Sequence, residues 1–346
     1  SISTSISNGF KYSLPAIIDS NVTTMITGLI LFFIGMGPIK GFATTLIIGI
    51  LTTLFTAILI SSLIIEKWLS KGKDLKVSTK LSENFLANTN IDFIKKRKFT
   101  YIISGILMVV GVISFATKGF ELGVDFQGGR EYKIRFEQPV STQEIKTNLD
   151  EVFGGGTIVK TIGSANQFKI TTSYLIDKNS SESDHLADST LFNGIKEYLP
   201  ENANYSSFKQ VNLLSQQKVD PTISVDIIKS STWAVILSII GIFFYILFRF
   251  RSLGYSIGAI ISTAHDAVMM LVIYSLLYGI LPFSMEIDQT FIAAILTVIG
   301  YSLNDTVVIY DRLREYLAEK DNKTPMNQIM NKAINSTLSR TFVTGI

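Results

Sequence analysis

The chain has 346 residues but no cysteine, and it has few histidines, prolines and charged residues. The absence of cysteine excludes a disulfide framework, thiol chemistry and a cysteine-ligated metal site. The two histidines, His185 and His265, lie far apart without partners at metal-ligand spacing, so the sequence predicts neither a metal nor a cofactor. Charged residues make up 17% of the chain and apolar residues 47%, with a mean hydropathy of +0.36. This balance is typical of a polytopic membrane protein.

A signal peptide is also missing from the sequence. Residues 1–19 are polar and mixed, with neither the charged n-region nor the apolar h-region of a secretory signal. The chain does not begin with Met, and an apolar segment is just beginning where it stops at residues 344–346. We therefore expect a fragment of a longer polypeptide, cut at both ends.

Long apolar segments predict membrane-spanning helices. They are residues 22–36, 39–65, 99–116, 227–248, 254–278 and 289–310. The first is short for a span of about 20 residues, and Ile17 and Ile18 extend it. Gly35, Gly37 and Pro38 interrupt the helical pattern and predict a tight hairpin between the first two spans. The predicted fold class is an α-helical polytopic membrane protein.

The distribution of positive charge orients these spans. Lysines and arginines are concentrated between Lys67 and Lys98, and their last run directly precedes the third span. Beside a span, such a run indicates a cytoplasmic loop rather than a nucleic-acid site. Alternation places residues 118–226 and 279–288 outside and the basic segment after Asp311 inside. The expected organisation is two spans in 1–65, a basic cytoplasmic linker in 66–98, one span in 99–117, an extracytoplasmic domain in 118–226, three spans in 227–310, and a cytoplasmic helix leading into a truncated span in 311–346.

Residues 118–226 have the pattern of one small α+β domain. Ser141 and Glu144 predict a capping box, and Ile145, Leu149 and Val152 supply the apolar face of the helix that follows. We predict strands at 130–137, 157–162, 167–172 and 208–214, helices at 141–153 and 191–199, and a loop at 177–190. The order β-α-β-β-α-β is the ferredoxin-like pattern.

A glycine-rich segment, Gly123–Gly129, stands at the beginning of this domain. A dinucleotide-binding loop is excluded, because that motif follows a strand and opens a helix, whereas here a strand follows. We predict a tight turn in which Asp125 caps local backbone amides and Gly128 and Gly129 lead into the first strand.

The last complete apolar run contains an ionisable residue, Asp305. A carboxylate at membrane depth costs about 2.5–3.5 kcal/mol on insertion scales, so a chain that keeps one there usually uses it to bind an ion or relay a proton. The alternative for Asp305 is a helix-end carboxylate that snorkels or bonds to a neighbouring helix, which the apolar residues 307–310 after it disfavour. Asn304 and Thr306 are expected to orient Asp305 or to hold water. Asp311 has charged neighbours and fits the simpler interpretation of a helix-end carboxylate.

A second titratable pair, His265 and Asp266, lies within the span 254–278. A proton-relay role and a simple hydrogen bond between helices are about equally compatible with this pair.

These motifs carry a resemblance to known families. Residues 123–129 resemble the Asp/Gly-Gly signature at the head of the periplasmic domain of SecF, and residues 300–315 match that family's most characteristic motif almost letter for letter. Residues 264–266 and 339–341 resemble its other membrane motifs. The segment Val219-Asp220-Pro221 departs from the family's frequent Val-Gly-Pro.

The first 65 residues resemble the last two spans of SecD, in residues 14–24 and 37–43. The chain thus looks like a fused SecDF without the SecD periplasmic domains and with the last SecF spans missing or cut short. The resemblance implies a helix bundle of the resistance-nodulation-division (RND) type with an inserted ferredoxin-like extracytoplasmic domain.

The resemblance also implies a function. The protein would be a Sec translocase accessory subunit, not an enzyme, that uses the proton motive force to promote preprotein translocation and release across the bacterial inner membrane. Implied partners are the SecYEG channel with SecA, YajC-like and YidC-like subunits, the translocating preprotein, protons and membrane lipids, but no nucleic acid. Asp305 would bind the proton and Arg340 would be its counter-charge, with the choice between H⁺ and Na⁺ left open.

Two other functions are compatible with intramembrane carboxylates. An RND-type lipid or drug exporter driven by protons would carry much larger extracytoplasmic domains. An intramembrane aspartyl protease would use Asp266 and Asp305 as a catalytic dyad, but the chain lacks a Gly-x-Gly-Asp motif.

Overall fold

A computed structural model describes residues 2–71, 86, 89–278, 280–281, 285–319 and 324–344. The predicted basic linker 66–98 and the predicted loop 279–288 lie partly outside these described residues. The chain divides into two compact units. The helical unit comprises Ser1–Val110, Trp233–Met270 and Ala293–Ile346, and the sheet unit comprises Gly111–Thr232 and Leu271–Ile292.

The helical unit begins with a helical hairpin. Helix α1 spans Ile2–Ile34 and helix α2 spans Pro38–Phe55. Gly37 precedes α2 with a φ of 52°, and Pro38 occupies the first helical turn, where its missing amide hydrogen is not needed. A π-helical turn, Thr56–Ile60, then joins α2 to α3, Ser61–Ser70, without a break in the apolar run.

The remaining long helices follow in chain order. They are α4 Phe93–Lys118, α9 Pro221–Phe250, α10 Leu253–Leu277, α11 Gln289–Ala318 and α12 Met326–Thr344. Within the described residues, six helical segments are long and apolar enough to cross a membrane. The predicted α-helical polytopic fold class is therefore confirmed. Helix α11 continues past the predicted end at residue 310, and the pair Arg312–Glu315, at 2.6 Å, supports its last turns.

Apolar side chains of these helices remain uncovered by protein. On α4, Phe99, Ile102, Ile106 and Val112 are each more than half exposed. A contiguous surface of this kind is unfavourable in water and favourable against lipid. The chain is a multi-pass membrane protein.

The sheet unit contains a four-stranded antiparallel sheet in the order β2-β3-β1-β4. Its strands are β1 Gly129–Arg135, β2 Ile158–Ile162, β3 Ser164–Thr172 and β4 Leu213–Val219. Its helices are α5 Val124–Gln127, α6 Thr142–Phe153, α7 Ser181–Ile195 and the short α8 Tyr205–Ser207. This is the strand order and chain order of the ferredoxin-like pattern. Tyr132, Ile134, Leu149, Phe168 and Leu191 belong to its core, which lies between the sheet and α6 and α7.

The predicted second helix and final strand of this domain were misplaced. The predicted loop 177–190 is wrong from residue 181 onward, because α7 begins at Ser181, ten residues before the predicted Leu191. Ser180 starts it with a capping box, in which the partner is the Ser183 hydroxyl rather than the usual Glu or Gln. Residues 208–212 form a π-helical turn, so the last strand begins at Leu213.

The first helix of the domain also differs from its prediction. Ser141 precedes α6 in an extended conformation, but its side chain makes no capping hydrogen bond, so the predicted capping box is wrong. Ile145 and Leu149 are fully buried as predicted, whereas Val152 is 38% exposed and Phe153 takes its place in the core.

Candidate functional site

The central candidate, Asp305, lies on a polar face within the apolar part of helix α11. Ser302, Asp305 and Thr306 are spaced three and four residues apart, so they share one side of the helix. The Thr306 hydroxyl donates to the Ser302 carbonyl oxygen at 3.2 Å. This hydroxyl therefore has an acceptor on its own helix. Asp305 itself is half-buried. The arrangement holds one carboxylate among small hydroxyl side chains.

A hydrogen-bonded chain of four side chains joins three helices of the helical unit. We call it the relay chain, after the predicted role of His265 and Asp266. Ser104 on α4 contacts His265 Nε2 at 2.6 Å, and His265 Nδ1 lies 3.0 Å from Asp266 Oδ1 on α10. Ser302 on α11 donates to Asp266 Oδ2. A neutral imidazole with its proton on Nδ1 donates to Asp266 and accepts from Ser104, so every bond can form.

This geometry is compatible with both predicted roles of His265 and Asp266, and the proton-relay role stays a prediction. The bonds to Ser104 and Ser302 connect neighbouring helices, and each member of the relay chain can also exchange a proton. The chain ends at Ser302, one helical turn from Asp305.

Asn304 borders a cleft of mixed polar and apolar lining in the same unit. Its side-chain oxygen is buried and has no hydrogen-bond partner among the described residues. The cleft has a volume of about 500 Å³, and its polar lining residues are Asn21, Thr24, Thr45, Thr53, Tyr301 and Asn304. This cleft is large enough for water, which an unsatisfied amide oxygen would bind.

The other predicted membrane residue, Arg340, is an exposed side chain near the end of α12. Its role as the counter-charge of Asp305 stays a prediction.

A partly buried ion cluster was not predicted from the sequence. Asp19 on α1 pairs with Arg249 on α9 at 2.7 Å and accepts from the Tyr245 hydroxyl at 2.6 Å. Arg249 also lies 3.4 Å from Asp311 on α11, which pairs in turn with Arg314 at 3.5 Å. Asp311 is thus a carboxylate bonded to a neighbouring helix. The sequence could have indicated a partner for Asp19, because a charged residue inside an apolar helix requires one.

In the sheet unit, Asp125 is a buried acceptor that connects distant segments. Its carboxylate accepts from Gln217 Nε2 at 2.7 Å, from Gln289 Nε2 at 2.8 Å and from the Gln289 backbone N–H at 3.2 Å. Asp125 thereby joins β4 to the first residue of α11. Hydrogen bonds to a charged group contribute about 1.5–3 kcal/mol each.

The prediction that Asp125 caps local backbone amides is therefore wrong. Residues 124–127 form a helical turn, and the amides of Phe126, Gln127 and Gly128 donate to the carbonyls of Gly123 and Val124. Because the local amides are already satisfied, the carboxylate accepts from Gln217 and Gln289 instead.

The two glycines after this turn have no room for a side chain. Gly128 has a φ of +77°, and a Cβ there would lie 3.1 Å from Pro221. Gly129 has a φ of +140°, and its Cβ would lie 3.3 Å from the Thr172 carbonyl oxygen. Both glycines let the chain leave the helical turn and enter β1 between close neighbours.

Comparison with known proteins gives consistent matches. Residues 200–346 match the family described as "Protein export membrane protein SecD/SecF, C-terminal", and residues 113–140 match the "SecD/SecF GG Motif". The chain is 36% identical over 258 residues to protein translocase subunit SecF of Rhodothermus marinus, covering 74% of this chain and 78% of that protein.

Longer relatives match over the whole chain. Protein translocase subunit SecDF of Brucella abortus is 35% identical over 347 residues, which cover 99% of this chain but 43% of that protein. The crystal structure of SecDF from Thermus thermophilus, described as a translocon-associated membrane protein, matches with a TM-score of 0.78 and 25% identity. It covers 99% of this chain and 43% of the other. A SecDF structure in a super-membrane-facing form matches with a TM-score of 0.66 and 26% identity.

Proposed function

This chain belongs to the SecD/SecF family of protein-export membrane proteins, and we propose that it assists preprotein translocation across the bacterial inner membrane by using the proton motive force. One observation carries the proposal: Asp305 lies on a membrane-spanning helix, one turn from the end of the relay chain. A carboxylate kept at membrane depth beside other proton-exchanging groups is typical of a proton path.

The proposed mechanism begins with protonation of Asp305. Proton binding removes one negative charge from the spans. If two conformations of the helix bundle solvate Asp305 differently, this change in charge shifts the population from one conformation to the other. Asn304 and Thr306 would position the carboxylate or a water beside it, and Arg340 would supply the counter-charge. His265 and Asp266 would pass the proton through Ser302 along the relay chain.

The proposed topology follows the positive-inside rule. The basic segments 66–98 and 311–346 would be cytoplasmic, and the ferredoxin-like domain within 118–226 would be extracytoplasmic. That domain would respond to protonation and act on the preprotein as it emerges. The proposed partners are the SecYEG channel with SecA, YajC-like and YidC-like subunits, and the preprotein itself.

The alternative functions have less support. The named relatives are protein translocase subunits, which is a non-catalytic role and argues against an aspartyl protease. Asp266 accepts from Ser302 and contacts His265, so both of its oxygens are engaged by groups other than a second carboxylate. The domain of about 100 residues also argues against an RND-type exporter.

The proposal is tested by replacing Asp305 with Asn in the full-length protein, which removes the titratable group at nearly constant volume. Vesicles containing this protein and the Sec channel should retain ATP-driven translocation by the Sec motor and lose the stimulation that an imposed proton gradient provides. Membrane insertion should be unchanged, because neutralising a buried charge relieves a desolvation cost.

The matched control is Glu315→Gln, an equivalent change on the same helix at an exposed side chain paired with Arg312. Gradient stimulation should survive this change. Normal stimulation in the Asp305→Asn protein would refute the proposed role.

A further inference from the structure

Within the sheet unit, the residues just before α11 are hydrogen-bonded through their backbone to the residues just before α5. The Ile287 amide donates to the Glu121 carbonyl oxygen at 2.8 Å, and the Gly123 amide donates to the Ile287 carbonyl oxygen at 2.9 Å. Leu122 and Ile287 thus form a parallel bridge immediately before the turn that carries Asp125. Residues 286–288, immediately before α11, are thereby held beside the beginning of the domain.

Ion pairs extend this attachment to the sheet. Glu286 pairs with Lys169 on β3 and lies 3.9 Å from Lys160 on β2. Lys160 also pairs with Glu121, and Lys169 lies 3.3 Å from Glu131 on β1. The side chains of Glu121, Glu286 and Lys169 are at most 9% exposed, so these charges are held away from solvent.

The pKa values of Lys160 and Lys169 are shifted in opposite directions by their surroundings. Burial lowers the pKa of Lys160, because the attraction of Glu286 does not outweigh desolvation and the nearby charge of Lys169. Burial also opposes the charge of Lys169, but its hydrogen bond to Glu286 and the charges of Glu131 and Glu286 outweigh this and raise its pKa. The pair Glu286–Lys169 is therefore the stronger link between the segment and the sheet.

We propose that these contacts form a coupling clamp, defined by Glu121, Asp125, Lys169, Glu286 and Gln289, that transmits a change at Asp305 to the ferredoxin-like domain. The clamp holds the beginning of α11 at three kinds of contact: the backbone bridge, the ion pairs, and the bonds from Gln289 to Asp125. A buried, charge-paired attachment resists slipping, since separating its members would leave charges unpaired.

The connection from the clamp to the proton site is a single helix. Helix α11 is continuous from Gln289 to Ala318, and Asp305 follows Gln289 on it by about four turns at 3.6 residues per turn. A shift or rotation of this helix would therefore be delivered through the clamp to the sheet. This inference rests on the proposed function, because it assigns the element through which protonation reaches the domain.

The test measures amide hydrogen exchange by mass spectrometry in the protein held in lipid nanodiscs. Asp305→Asn serves as a permanently neutral form, and the response is its effect on exchange of the β1 and β3 amides. With the clamp intact, Asp305→Asn should change exchange in these strands. In a Glu286→Gln background that response should be reduced, because the ion pairs are lost while the backbone bridge and the Gln289–Asp125 bonds remain.

Glu286→Gln is suited to this test because it leaves neither lysine unpaired. Lys169 still pairs with Glu131, and Lys160 still pairs with Glu121. The matched control is Glu131→Gln, which removes a partner of the same Lys169 but leaves the link to the segment before α11. The response to Asp305→Asn should persist in this control.

Two results would overturn the clamp: an equal response in the Glu286→Gln background, or no response while the clamp is intact. Neither is the result that refutes the proposed function, which is normal gradient-driven export by the Asp305→Asn protein. The two proposals can therefore fail separately.

Discussion

At the scale of single residues, several polar side chains of the spans are joined to one another by hydrogen bonds and ion pairs. Ser104, His265, Asp266 and Ser302 form one set across three helices, and Asp19 is bonded within another. Unsatisfied polar groups are costly in hydrocarbon, so such sets allow the spans to keep titratable side chains. Their fixed positions are also what a proton path requires.

Ser104 provides a test of the relay chain. Ser104→Ala removes the hydroxyl that contacts His265 Nε2, and it should lower gradient-driven export while leaving ATP-driven translocation unchanged. The loss of one hydrogen bond between membrane helices should cost only about 0.6 kcal/mol of stability, so a folding defect would not explain the result. Translocation assays with and without a proton gradient measure the effect.

The control lies on the same helix. Ser114 makes a comparable bond from α4 to α10, donating to the Ser275 carbonyl oxygen at 3.0 Å, but it is not part of the relay chain. Ser114→Ala should have a similar effect on stability and none on gradient-driven export. Equal export defects in the two variants would contradict a relay role for Ser104.

At the scale of elements, the sequence predicted the spans better than the contacts between them. Long apolar runs identify membrane helices by themselves. The start of α7 was missed because its cap uses the Ser183 hydroxyl, and the partners of Asp125 were missed because they lie 92 and 164 residues away. The relay chain could be predicted only in part, since His265 and Asp266 are recognisable as titratable residues inside a span, whereas Ser104 has no such signal.

The turn between α5 and β1 can be tested with Gly129→Val. The new side chain would meet the Thr172 backbone and Val124, and it would strain a φ of +140° by about 1–3 kcal/mol. We expect impaired export through misplacement of β1, with proton binding at Asp305 unchanged. Export assays and a carboxyl titration measure these two effects separately.

Gly154→Val is the control for backbone strain alone, because Gly154 has a φ of +82° but no heavy atom within 4 Å of the point that a Cβ would occupy. It should impair export less than Gly129→Val does. Loss of proton binding in the Gly129→Val protein would show that the turn does more than position the domain.

At the scale of the whole molecule, the chain combines membrane spans with a ferredoxin-like domain. It spans 43% of the length of the SecDF relative from Brucella abortus, so the proposed export activity is to be measured in the full-length protein. The proposed path leads from Asp305 along α11 to the coupling clamp and the sheet. Every step of this path depends on Asp305 gaining and losing a proton during the transport cycle.

Difference infrared spectroscopy of the protein in lipid tests the protonation of Asp305 most directly. A relay group must change protonation within the pH range of the two membrane faces. A carboxylic acid band should grow on acidification through this range, be absent in the Asp305→Asn protein and persist when Na⁺ is replaced by a larger cation. Identical pH-dependent spectra for the unmodified and Asp305→Asn proteins would contradict proton exchange at Asp305.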